Sequence, residues 1–146
     1  MGMLNKMNIT KDNILFGLKN MSQNQAIEVI GKKMMELGFC EQEYIDSMKE
    51  KCLHEQTYIG NGISIPHGRD EARRFVLKTG IVIGHFSKSI QYDGEETNLI
   101  IGIASNSNEH IEILQELAIK LFDENYVKKL VEARDINDFY MIFNEN

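Results

Sequence analysis

A chain of 146 residues is long enough for one domain with one core, residues 1–146, and too short for several. Its 42% apolar and 26% charged residues are those of a globular protein and exclude a disordered one. Sixteen Lys and Arg against 22 Asp and Glu leave a net charge of −6, which argues against nucleic acid as the main partner, and no apolar run approaches the ~18 residues needed to cross a bilayer.

The first residues, 1–13, read as a polar leader without the apolar stretch of a signal peptide. Asn13-Ile14-Leu15-Phe16-Gly17 is a candidate first strand. Ser22 is a good N-cap and Gln25 stands at the matching capping-box position. Ala26, Ile27, Ile30, Met34 and Leu37 then recur at helical spacing until Gly38, which suits a stop. Residues 41–51 read as a second helix with Tyr44, Ile45 and Met48 inward. Cys40 and Cys52 lie far from a CxxC spacing and read as two reduced thiols of a cytosolic protein.

The pattern turns extended after Leu53. Residues 57–59 and 63–65 are short strand candidates. Residues 75–83, rich in branched side chains, predict a strand. Residues 90–94 predict an edge strand running into a turn. Residues 98–104 are continuously apolar, as in a central strand covered on both faces. After the polar loop 106–109 a helix begins, with Ile111, Leu114, Ala118 and Leu121 on one face. Two shorter helices, 128–134 and 136–143, end the chain. Helices before, among and after the strands predict an α/β domain with a mixed sheet between helices.

Pro66 is the single proline of the chain, and it directly precedes His67. Proline fixes its own φ and biases the residue before it toward extended backbone. Gly60, Gly62 and Gly68 permit conformations and approaches that other residues resist. The segment thus presents His67 on a stiffened backbone. Neutral imidazole is a nucleophile toward phosphorus near neutral pH. The plain alternative is a histidine in a turn. His110 falls in the first turn of its helix if Asn108 caps it, where unpaired N–H groups favour an anion. Lys51, Arg73 and Arg74 carry charge that phosphate would accept, although a solvated surface is the default for each. His54 and His85 have no supporting pattern. The histidine spacing gives a weak metal case, so no metal and no cofactor is expected.

The stretch Thr57-Tyr58-Ile59-Gly60-Asn61-Gly62-Ile63-Ser64-Ile65-Pro66-His67-Gly68 resembles the active-site signature of the mannitol/fructose class of enzyme IIA in the bacterial phosphoenolpyruvate-dependent sugar phosphotransferase system. Residues 76–80, 101–104 and 108–111 follow in the order of the mannitol branch, and the likeness spans about residues 13–143. It implies a five-stranded mixed sheet flanked by helices. It implies that His67 accepts a phosphoryl group from HPr and passes it to a cysteine of enzyme IIB, with the membrane component IIC served indirectly. His110 matches a second active-site histidine that binds the phosphoryl group. Lys51 stands where the family has an arginine, and Asn61 where some members have a glutamate. Lys51, Asn61 and Gly68 are therefore the expected phosphate-binding residues. No IIB or IIC segment is recognised, so the expectation is a free-standing, cytoplasmic IIA. The alternatives are a regulatory IIA paralogue of the nitrogen or fructose type, or a binding module that kept only the fold.

Overall fold

The computed structural model describes residues 2–145. Five strands form one mixed sheet: β1 (Ile14–Leu15), β2 (Tyr58–Gly60), β3 (Ile63–Ser64), β4 (Gly80–Tyr92) and β5 (Glu95–Ala104), in the spatial order β1-β4-β5-β3-β2. β1 runs parallel to β4 and β3 parallel to β5, while β4–β5 and β2–β3 are antiparallel. Among the described residues six α-helices flank the sheet: α1 (Met3–Lys6), α2 (Gln23–Glu36), α3 (Gln42–His54), α4 (Glu109–Lys120), α5 (Glu124–Val131) and α6 (Ile136–Phe143).

The expected α/β class with a mixed, five-stranded sheet is what the chain adopts. Ile100, Val82 and Phe86 face α2 and α3, packing on Ile27, Ile30, Met34, Ile45 and Met48. Ile81, Ile83, Ile101 and Ile103 face the other way, onto Ile113, Leu117, Leu130 and Phe139. That two-sided burial explains the unbroken apolar run of β5. Capping of α2 follows the sequence pattern: the Ser22 hydroxyl accepts from Gln25 N–H, and the Gln25 side chain accepts from Ser22 N–H. Gly38 ends the helix with a φ of 81°, the left-handed region.

Five sequence expectations need correction. The helix expected over residues 128–134 starts four residues earlier, capped by Asp123, and ends at Val131. Residues 2–13 are part of the fold and no mere leader. The Glu116 carboxylate accepts from Met3 and Leu4 N–H at 2.7 and 3.0 Å, and Met3 and Ile9 are buried. The strand expected over residues 75–83 starts only at Gly80. Asp70–Phe75 form a 3-10 turn, and Leu77 and Lys78 both donate to the Phe39 carbonyl, so this stretch pairs with the α2–α3 connection instead of the sheet. Residues 90–92 are no separate edge strand; they continue β4 into a hairpin with β5. Asp93 and Gly94, with φ of 53° and 78°, make the tight turn whose twist suits such a hairpin. Finally, α4 buries Ile113 and Leu117, whereas Ile111 and Ala118 are exposed.

His85 is structural. It is fully buried, its Nδ1 accepts from Gly17 N–H at 3.1 Å, and its Nε2–H donates to the Val131 carbonyl at 2.9 Å. Phe16 stacks on the ring at 4.1 Å. Burial pushes its pKa below the ordinary 6.5, against the pull of the carbonyl bond. The unfolded chain therefore binds a proton below about pH 6.5 that the folded chain refuses, and stability falls as pH drops through that value. Thermal melts from pH 7.5 to 5 should show this decline, and His85→Gln should flatten it. His67 shifts in the same direction. The comparison is therefore made in a His67→Ala background, where an equal slope with and without His85 would remove His85 as its cause.

Candidate active site

The parallel strands β3 and β5 end at one pole of the sheet. Beyond β3, His67 makes an isolated parallel bridge with Ile103, and Ile103 N–H donates to the Pro66 carbonyl. β5 leads at the same pole into α4, which carries His110 in its first turn. Open sheets bind ligands at the carboxyl ends of their strands, where loops diverge.

The loop 65–69 is tied down on both sides of His67. Ile65 N–H donates to the Thr57 carbonyl at 3.0 Å. Gly68 N–H donates to Tyr44 Oη at 3.0 Å, and Tyr44 Oη–H donates to the Ile103 carbonyl at 2.8 Å. Arg69 N–H donates to Ser47 Oγ at 2.8 Å. A buried tyrosine on α3 thus clamps the histidine loop onto β5. Burial pushes the Tyr44 pKa up to about 12, so its hydroxyl keeps the proton that this clamp needs.

His67 is half-buried, and its Nδ1 lies 2.9 Å from the Ile65 carbonyl. A carbonyl oxygen only accepts, so Nδ1 carries the proton and Nε2 keeps its lone pair. Burial, then the charge of Lys51, lowers the His67 pKa below 6.5, while the Ile65 carbonyl bond and Glu55 oppose them. The ring is neutral at neutral pH, the nucleophilic form.

The expected site residues divide. Lys51 acts on His67 through its charge, and its Nζ sits 3.7 Å from Glu55 with the side chain largely buried. His110 donates from Nδ1 to the Ser107 carbonyl at 3.1 Å, while its Nε2 faces Arg73 Nη2 at 2.8 Å. Asn108 occupies the N-cap position without a side-chain cap bond. Gly68 lies beside His67, but its N–H is taken by Tyr44. Its contribution is room, since a Cβ there would stand 2.5 Å from the Tyr44 ring. Asn61 is not in the site. It sits in the β2–β3 turn with Gly60 and Gly62, all three at positive φ, and its Nδ2 donates to the carbonyls of Leu121 and Phe122 past the end of α4. Gly62 accepts from Leu99 N–H, whereas His67 bridges Ile103, four residues further along β5, so at about 3.3 Å per residue the turn lies roughly 13 Å away. Gly60 and Gly62 thus build that distant turn and do not shape the surroundings of His67.

Local sequence marks neither Tyr44 nor Ser47 as a site residue, and it offers Arg73 only as a charge that phosphate would accept, with a solvated surface as its default. Helical spacing places Tyr44 inward and no more. Nothing local ties Arg73 to His110, 37 positions on.

Residues 7–146 match the family model described as "Phosphoenolpyruvate-dependent sugar phosphotransferase system, EIIA 2". The mannitol-specific phosphotransferase enzyme IIA component of Staphylococcus aureus is 34% identical over 136 residues, 93% of this chain and 94% of that one. The crystal structure of IIA mannitol from Escherichia coli superposes with a TM-score of 0.87 at 30% identity, over 93% of this chain and 99% of the other. A complex of that enzyme IIA with phosphorylated enzyme IIB from Escherichia coli gives the same TM-score at 29% identity, over 93% of this chain and 96% of the other. No helix among the described residues is long and apolar enough to cross a membrane.

Proposed function

Because this chain belongs to the phosphoenolpyruvate-dependent sugar phosphotransferase system EIIA 2 family, we propose that its phosphoryl transfer runs through His67. The protein is a phosphotransferase carrier of the mannitol type, which takes phosphate from HPr and passes it to enzyme IIB. The domain is taken as residues 1–146 and its place of work as the cytoplasm. The mannitol reading stands ahead of a regulatory paralogue because the Staphylococcus aureus relative at 34% identity and the Escherichia coli structure at 30% are both mannitol IIA components.

One observation carries the assignment of His67. Its Nδ1–H is spent on the Ile65 carbonyl, which leaves the Nε2 lone pair free on a half-buried, neutral ring. That lone pair attacks the phosphorus of phospho-HPr as the bond from phosphorus to the donor imidazole breaks. The electron pair returns to HPr. The IIB thiolate then attacks the same phosphorus, and the bond to His67 Nε2 breaks. Such transfers ask a protein mainly for position and for stabilisation of charge. Position comes from the clamped loop. Charge is met by Lys51 and by His110 with its arginine neighbour.

The test is intact-mass and site mapping after incubation with phosphoenolpyruvate, enzyme I and HPr. One acid-labile phosphoryl group on His67, lost on adding mannitol IIB, is the expected result. A group that stays put when IIB is added speaks for the regulatory paralogue. His110→Ala should accept phosphate roughly 10- to 100-fold more slowly, since it removes one group that stabilises developing charge. An unchanged rate would take His110 out of the site.

A further inference from the structure

Three arginines, Arg69, Arg73 and Arg74, closely follow His67, and they do different things. Arg69 Nε lies 3.1 Å from Glu50. The Arg74 guanidinium stacks 4.7 Å from the Phe75 ring. Arg73 alone turns to the site: its Nη2 is 2.8 Å from His110 Nε2 and 2.9 Å from Asp70 Oδ1.

The contact with His110 constrains both partners. A guanidinium has no acceptor and stays protonated, so Nη2–H donates and His110 Nε2 must present its lone pair. This agrees with Nδ1–H donating to Ser107. In the unphosphorylated protein, then, the ring nitrogen of His110 nearest Arg73 is masked as an acceptor and has no proton to offer an oxyanion. Arg73 itself is poorly matched. Its side chain is only 23% exposed, yet it meets a neutral imidazole and a carboxylate whose own side chain is 78% exposed. An exposed carboxylate holds a cation weakly. A phosphoryl group with two negative charges and three acceptor oxygens is a stronger partner, and the planar fork fits it at two points. Lys51 offers a point charge only.

Resting on the carrier reading above, we propose that Arg73 supplies the phosphoryl-binding guanidinium of this site, leaving His110 and Asp70 for the phosphoryl oxygens when His67 is phosphorylated. Its departure uncovers His110 Nε2, which takes up a proton from the buffered solvent as the dianion arrives and donates to the same group. Arg73 is thus both the keeper of the His110 tautomer and a ligand of the transferred group.

The experiment follows the side-chain 1H–15N signals of Arg73 and His110 in wild-type protein before and after phosphorylation by phosphoenolpyruvate, enzyme I and HPr. Acceptance rates of Arg73→Ala and Arg73→Lys are measured beside it. The expected results are a lone pair on His110 Nε2 before phosphorylation, and shifts of both residues after it. Acceptance should slow roughly 10- to 100-fold in Arg73→Ala, with Arg73→Lys between the two. Arg73 signals that do not move on phosphorylation overturn the proposal even if Arg73→Ala is slow, because the arginine would then serve only HPr docking. A wild-type rate in Arg73→Ala overturns it as well. A wild-type protein that accepts no phosphate overturns the carrier reading and this inference together, whereas a failure confined to Arg73 leaves the carrier reading standing.

Discussion

His67→Ala is expected to abolish phosphoryl acceptance while the domain stays folded. The loop does not depend on the imidazole for its shape. Pro66 offers its carbonyl to Ile103, Ile65 donates to Thr57, Gly68 to Tyr44 and Arg69 to Ser47, and none of these bonds involves the His67 side chain. The ring is half-exposed, so truncation leaves no sealed cavity. The chemistry has no substitute. Lys51 is an ammonium, His110 Nε2 is covered by Arg73, and His85 is buried on the far side of the fold with both nitrogens bonded. Intact mass should show no added phosphoryl group after incubation with the full donor chain, and the melting temperature should move by no more than a few degrees. Wild-type phosphorylation of this variant would shift the acceptor role elsewhere, with His110 the first residue to map.

Gly68→Ala should produce the second largest effect, for a steric reason. A Cβ at residue 68 would lie 2.5 Å from Tyr44 Cε1 and 2.9 Å from Cδ1 and Cζ. An aromatic ring packed in a core cannot fold away as the tip of a lysine can. Either Tyr44 moves and loses its bonds to Gly68 N–H and the Ile103 carbonyl, or the histidine loop lifts from β5. Forcing a methyl group into a filled core costs ~1–3 kcal/mol, and leaving a buried donor or acceptor unpaired costs a comparable amount. The rate should suffer more than the stability. A displacement of about 1 Å at a reacting group can cost roughly 10²-fold. Thermal melts and acceptance rates measured on the same preparation check both. A variant that melts and accepts phosphate like wild type would mean that Tyr44 yields easily and that the clamp is dispensable.

Much of the architecture was legible where the determinants are local. Ser22 and Gln25 announced α2, and both capping bonds are present. Tyr44, Ile45 and Met48 recur at helical spacing and are buried. The apolar run of β5 required cover on both faces and has it. The misreadings also have causes. Residues 75–79 have strand composition, yet the Phe39 carbonyl claims the N–H groups of Leu77 and Lys78. Asp93-Gly94 carries a hairpin signal, but the sequence pattern of residues 90–92 suits a separate edge strand, whereas they complete a strand of 13 residues. On α4, Ile111 fits the periodicity and is nonetheless exposed, beside His110 at the pole where the loops diverge.

The site divides along the same line. A proline before a histidine, with a glycine after it, is a pattern of neighbouring residues, and backbone restriction acts over one or two positions. It therefore marked His67 and Gly68 without any knowledge of the fold. Which groups face His67 depends instead on contacts between distant segments. Tyr44 reaches Gly68 across 24 positions, Arg73 reaches His110 across 37, and Asn61 is drawn to the end of α4 across 60. Lysine, arginine and asparagine side chains are long or adaptable, and composition alone leaves their partners open. Packing of the helices onto the two faces of the sheet chose those partners, placing an arginine on His110 and carrying Asn61 away.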